Sequence, residues 1–211
     1  GRCSRTPTWW AACGRARLYI SIGILTNMLL FFNTLFVVLG VIWVYMTMWF
    51  GIARLLKRND VADVAWGLGF IVASFVPILM YGFVSNRALC ITALVSIWGL
   101  RLAYHIFRRI IVKPEDGRYV AWRNTWGKYF IIRSYGQIFM LQGFLMICIV
   151  TPVLLVNTYA GVGLTFFDII GFMLWFIGFY FESQGDKQLR NFIKNPENKG
   201  KILNKIGRAH V

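Results

Sequence analysis

The chain has 211 residues, 58% of them hydrophobic and 15% charged, with a net charge of +15 and a mean hydropathy of +0.59. Soluble globular domains are about 45–50% apolar and about 25% charged, so the composition excludes an ordinary water-soluble domain and points to an integral membrane protein. The basic excess flanks the apolar runs, as membrane topology requires, and no groove-reading motif accompanies it, so nucleic acid is excluded as a partner.

The first 27 residues include GRCSRTPTWWAACGRAR, with Arg2, Arg5, Arg15 and Arg17 and no acid. The segment lacks the apolar core and cleavage pattern of a signal peptide. Residues 1–27 therefore read as a non-native or disordered leader, and Met28 as a natural start. Five apolar blocks follow, at about 29–53, 64–84, 88–107, 136–157 and 165–183. Each is long enough to cross about 30 Å of hydrocarbon as a helix. None alternates with period two, which disfavours a β-barrel. The predicted fold is an all-α, polytopic transmembrane helix bundle with five spans. Gly67, Gly69, Gly99, Gly143, Gly171 and Gly178 fall inside the blocks, where they suit close helix approach.

The connections alternate in charge. The first carries Arg54, Lys57 and Arg58, and the second a single arginine, Arg87. The third, about 108–135, carries seven basic residues, from Arg108 and Arg109 to Arg133, against Glu115 and Asp116. The fourth, NTYAGVGLT, is uncharged, and the tail is basic again. This pattern predicts a cytoplasmic side for loops one and three and for the C-terminal tail.

Ionisable residues inside spans are costly and are read first as functional. Asp63, in NDVADVAWGLGF, is one candidate; the alternative is that Asp60 caps a helix and Asp63 complements its dipole. Arg101, in SIWGLRLAYHIFRR, either snorkels to water or meets a buried or anionic partner. Glu182, Asp186, Arg190 and Lys194 recur every four residues and share one helix face. Topology predicts Asp63, Arg101 and Glu182 at similar depth on one side of the membrane, around a wet cavity of mixed charge. In KPEDGRYVAWRNTWGKYFIIR, Arg118, Arg123 and Arg133 with Tyr119, Trp122 and Trp126 suit phosphate binding and ring stacking. The same residues also suit an interfacial belt of aromatic and basic anchors. Cys90 and Cys148 read as buried free thiols, and no metal site is predicted, because no CxxC or Cys/His cluster occurs. Neither a Walker loop nor a GxGxxG after a strand is present, which excludes a soluble nucleotide-binding fold.

The segments DVAWGLGF, IWGLRLAYHIFRR, EDGRYVAWR, LQGFLMICIVTPVLLVN and LWFIGFYFESQGDKQLRNF, in that order over about 41–205, resemble the bacterial DUF1295 family. That family is similar to the steroid 5-alpha-reductase-like membrane enzymes. The resemblance implies a multi-pass reductase of the bacterial inner membrane that uses NADPH. Its implied reaction is reduction of a C=C bond conjugated to a carbonyl in an apolar lipid or steroid-like substrate. It places the acidic catalytic position on Asp63. The family's tyrosine position falls near Trp98, which leaves Tyr104 or Tyr119 as the phenol. The expected catalytic set is Asp63, Arg101 and Tyr119. Asp186 and Arg190 match cofactor ligands, and Glu182 stands where relatives carry Asn. Arg118 and Arg123 complete the expected cofactor set.

The family's later Arg-His-Pro-Asn-Tyr-type element would follow Lys205, and the final IGRAHV reads as translated sequencing-adapter sequence. The expectation is a reductase-like domain over 28–205 that lacks its C-terminal spans and is inactive in this form, followed by an artefactual 206–211. Two other readings stand beside it: a lipid or isoprenylcysteine-type methyltransferase, and a non-enzymatic membrane protein.

Overall fold

The computed structural model describes residues 9–82, 85–159 and 163–198, without the side chains of 9–20 and 196. The expected adapter sequence at 206–211 and residues 1–8 of the expected leader lie outside the described residues. The described chain is helical throughout, and five of its segments are long and apolar enough to cross a membrane. It divides into two units, residues 1–162 and 163–211.

In the first unit, α1 runs Trp9–Leu56, α2 Val61–Tyr81 and α3 Asn86–Val112. Helix α1 thus extends upstream of the span read from the sequence. Helix α4 spans Gly117–Trp126. A 3-10 turn, Gly127–Tyr129, leads into the short α5, Phe130–Arg133. A π-helical segment, Ser134–Met140, then joins it to α6, Leu141–Thr158. The expected long third loop is therefore mostly helix, and only Lys113–Asp116 separate α3 from α4. Its arginines and lysines are good helix formers, and the Asp116–Gly117 pair opens α4. Asp116 Oδ1 accepts the backbone N–H of Arg118 at 3.0 Å, a helix cap.

Contacts along the helices set an alternating up-and-down order. Tyr45 of α1 donates its hydroxyl to the Ala65 carbonyl of α2 at 2.9 Å, and Thr34 pairs with Tyr81 at the far end at 2.9 Å. Helix α6 runs antiparallel to α1, with Gly143 against Met46 and Ile42. The buried seam repeats at helical spacing: Val38, Ile42 and Met46 on α1, then Met146, Val150 and Leu154 on α6. Helix α2 is the most enclosed and packs on α1, α3 and α6. Outward-facing Phe36, Trp43, Leu79 and Phe144 are exposed. An apolar exterior of this extent is what a bilayer covers.

Close approach of α2 to α3 depends on a glycine pair. A Cβ on Gly67 would stand 2.7 Å from the Gly99 carbonyl oxygen, and one on Gly99 would stand 2.5 Å from that of Gly67. Both obstacles are backbone, so no rotamer change relieves them. Away from the charged end, Asn157 of α6 ties three helices together, donating to the Ser74 carbonyl and to Thr92 Oγ1 at 2.8 Å each. The two span cysteines are free, but Cys90 is only half-buried and Cys148 is exposed. They lie off the α1–α2–α6 seam, which corrects the expectation of buried thiols.

The second unit contains α7, Phe166–Lys194. Asp168 accepts both the backbone N–H and the hydroxyl of Thr165, at 2.6 and 2.8 Å, which fixes its first turn.

The glycine crossing gives a direct test. Gly99→Val should lower stability by about 1–3 kcal/mol through forced separation of α2 and α3. Gly40→Val, where nothing lies within 4 Å, should change it little. Thermal unfolding in detergent reads both.

Candidate functional site at the charged end of the bundle

Two turns meet at one end of the first unit. The turn between α1 and α2 begins at Lys57, a non-glycine residue at φ 55°, a left-handed conformation that costs about 1–2 kcal/mol. Its carbonyl is held by Arg123 Nη2 at 3.1 Å. Next, Arg58 closes a two-bond fork on Asp60, with Nε and Nη2 at 2.8 and 2.7 Å from the carboxylate oxygens. The same guanidinium donates to the Ile110 carbonyl at the end of α3, at 2.9 Å. Asp60, 2% exposed, also accepts the Asp116 backbone N–H at 3.3 Å.

The alternative reading gave Asp60 the cap of α2. It occupies the cap position but makes no side-chain cap bond, because Arg58 and the Asp116 amide take its oxygens. The Arg58 fork in turn raises the guanidinium pKa above its ordinary range. The second turn is held in the same way. Arg123 Nη2 donates to both Glu115 oxygens, at 3.0 and 2.8 Å, and Glu115 also accepts the Asn59 N–H at 2.6 Å.

These clamps carry α4 over the start of α2. Tyr119, 3% exposed, donates its hydroxyl to Asp63 Oδ1 at 2.8 Å. The other Asp63 oxygen lies 3.6 Å from Arg109 and 3.7 Å from Arg118. Both arginines are closer to Asp116, at 3.4 and 3.2 Å. Asp116 therefore holds the two cations that flank the Tyr119–Asp63 pair. Trp122 packs edge-on against Tyr119 with centroids 5.4 Å apart, and stacks on Trp126 at 5.5 Å. Beside this cluster is a cavity of about 300 Å³ lined by Asp60, Arg109, Ile110, Lys113, Asp116 and Gly117.

Of the predicted catalytic residues, the fold brings Asp63 and Tyr119 into direct contact. Arg101 is half-buried on α3, eight residues before Arg109 and so about 12 Å from it along the axis. Tyr104, the other candidate phenol, is 63% exposed. Arg118 joins the cluster, whereas Arg123 is committed to Glu115 and the Lys57 carbonyl. Glu182 and Asp186 are half-buried and Arg190 exposed on α7, in the second unit. The residues not assigned to the site from sequence are Arg58, Asp60, Arg109, Glu115 and Asp116. The signal that marks two of them is the acidic pair Glu115–Asp116 inside an otherwise basic segment.

Arg118 holds Asp116 below the usual carboxylate range, chiefly through its side chain and also through its backbone N–H. A depressed folded-state pKa contributes stability that is full above the unfolded value of about 3.9 and is lost as pH falls through the lower folded value. Acid titration below about pH 4 should therefore loosen α4 and change the fluorescence of the Trp122–Trp126 stack. Asp116→Asn, which keeps a cap acceptor without the charge, should lack that transition; an unchanged transition would assign it to another carboxylate.

No curated protein and no solved structure matches the chain. Residues 49–207 match the family described as protein of unknown function (DUF1295). That range begins within α1 and takes in α2, α3, α4, α6 and α7, including every residue of the Tyr119–Asp63 cluster. The chain belongs to the DUF1295 family.

Proposed function

We propose that the chain is an integral-membrane oxidoreductase that reduces a C=C bond conjugated to a carbonyl in an apolar, lipid-like or steroid-like substrate, with NADPH as reductant. The observation that supports this most is the 2.8 Å Tyr119–Asp63 hydrogen bond, buried at the charged end of apolar helices. Adding a hydride to the β-carbon of an enone leaves negative charge on the carbonyl oxygen. A site for that reaction needs an O–H aimed at this oxygen in a water-poor setting.

The pair has the groups for that task. With Asp63 protonated, its carboxyl donates to Tyr119 Oη and leaves the phenolic O–H free for the substrate carbonyl. As charge develops, the phenolic proton passes to the substrate oxygen and the Asp63 proton passes to Tyr119. Asp63 is left as a carboxylate beside Arg109 and Arg118, and takes a new proton from water. The substrate enol then returns its O–H proton to water and gains one at the α-carbon. One hydride and one proton have been added in total.

NADPH, when bound, supplies the hydride. Its phosphates are anionic, and the donor set next to the pair suits them: Arg109 and Lys113 line the cavity and Arg118 adjoins it. The cavity is at the small end of the range for ligand sites, about 300–1,000 Å³, so it suits a phosphate-bearing part rather than a whole dinucleotide. Glu182, Asp186 and Arg190 on α7 are assigned to the cofactor by the family's likeness to steroid 5-alpha-reductase-like enzymes, and Arg101 to an anionic group of cofactor or substrate. Arg123 acts at one remove, by holding the turn that carries Tyr119. The charged end is assigned to the cytoplasm, where NADPH resides, in keeping with its basic excess.

The test is NADPH consumption in lipid nanodiscs, with a panel of enone lipids, by the purified protein alone and with the family's Arg-His-Pro-Asn-Tyr-type element appended. Tyr119→Phe and Asp63→Asn should each lower kcat by about 10²–10⁴-fold, the usual range for a lost general acid. Asp186→Ala and Arg190→Ala should weaken NADPH binding. Methyl transfer from S-adenosylmethionine in place of NADPH consumption would overturn the reading in favour of a methyltransferase.

A further inference from the structure

The charged end is asymmetric in how its charges are used. Each acid there is turned inward: Asp60 to Arg58, Glu115 to Arg123, Asp116 to Arg109 and Arg118, and Asp63 to Tyr119 with the same two arginines. Around them stand Arg54, Lys57, Arg108, Lys113, Lys128 and Arg133, all exposed. None of these six has an acidic partner among the described residues. Two of them rest over aromatic rings instead, Arg108 over Tyr104 at 6.0 Å and Lys128 over Tyr129 at 5.1 Å.

The six cations belong to one rim. Arg54 and Lys57 end α1, Arg108 and Lys113 end α3, and Lys128 and Arg133 follow α4. The bonds from Arg58 to the Ile110 carbonyl and from Arg123 to the Lys57 carbonyl hold these ends together. Tyr135, two residues past Arg133, packs on Phe50 of α1 with centroids 5.1 Å apart, which brings Arg133 to the Arg54 side. Exposed apolar side chains alternate with the cations: Leu55, Phe107, Val112, Trp122 and Ile132.

We infer that this rim is a binding collar for anionic phospholipid headgroups, seated at the leaflet surface around the mouth of the cavity. The cations supply the charge for a lipid phosphate, and the adjoining apolar side chains supply the contact for its acyl chains. A soluble anion would use the first set but not the second, and this favours a lipid over a free phosphate or nucleotide. Apart from Lys113, which also lines the cavity, the collar uses no residue assigned to the proposed reaction, so the two readings can fail separately.

The experiment uses the full chain, purified in neutral detergent and titrated in parallel with phosphatidylglycerol, phosphatidylcholine and inorganic pyrophosphate. Thermal unfolding and the number of lipids retained in native mass spectrometry are the readouts. A ligand that binds the folded state raises the unfolding midpoint. Phosphatidylglycerol should raise it and be retained, and phosphatidylcholine should do neither; pyrophosphate, which suits the cavity, should give a response that the collar variants leave unchanged. Each cation removed should weaken phosphatidylglycerol binding about fivefold, so Arg54→Gln, Lys128→Gln and Arg133→Gln together should weaken it about a hundredfold. The single variants provide the same comparison if the triple variant unfolds. An equal response to phosphatidylcholine, a pyrophosphate response lost in the collar variants, or undiminished phosphatidylglycerol binding in them would each overturn the collar.

Discussion

The architecture of the charged end depends on two arginine–carboxylate clamps, Arg58 forked on Asp60 and Arg123 Nη2 bridging both oxygens of Glu115. Each also reaches a backbone carbonyl on the opposite turn, Ile110 for Arg58 and Lys57 for Arg123. They therefore join the α1–α2 turn to the α3–α4 turn in both directions. Arginine suits this task because its planar fork matches a carboxylate and still has donors to spare. Without these clamps nothing would oblige the short α4 to lie over α2, and Tyr119 would have no fixed relation to Asp63. Removing one partner of either clamp would also strand a poorly hydrated charge, so the clamps act as a unit.

The bundle beneath serves the same end by a different means. Between apolar helices in a bilayer the hydrophobic effect supplies little attraction, and close packing and hydrogen bonds decide the geometry. The Gly67–Gly99 crossing lets the α2 and α3 backbones touch. Asn157 fixes the same pair at a distance from the charged end. Asp63 sits one turn from Gly67, so the depth and rotation of the carboxylate follow from that crossing. The chemistry proposed for the pair thus depends on a contact between two residues with no side chains.

Much of this was legible in the sequence. The five spans, the all-helical class and the family emerge from hydropathy, charge alternation and five short motifs. Asp63 and Tyr119 were both singled out, the first as a carboxylate inside a span and the second as a phenol beside arginines. Their contact was not legible, because it joins residues 56 apart through a segment that reads as a loop. The basic run at 108–135 hid a helix: its charges suggest solvent, yet Asp116 caps α4 and Phe130 is buried within it. Asp60 shows the converse error, a residue of capping type at a cap position whose oxygens were taken by a nearer cation. Periodicity and propensity describe an element alone, whereas these outcomes also depend on side-chain partners: Arg58 and the Asp116 N–H for Asp60, and Asp63 for Tyr119.

The central claim is that Tyr119 and Asp63 act as one hydrogen-bonded unit. A double-mutant cycle on unfolding stability, with Tyr119→Phe, Asp63→Asn and the combined variant, measures that coupling without any substrate. The account predicts a coupling of about 1–3 kcal/mol, as expected for two residues joined by a buried hydrogen bond. Additive single-variant effects, within about 0.3–0.5 kcal/mol, would contradict it.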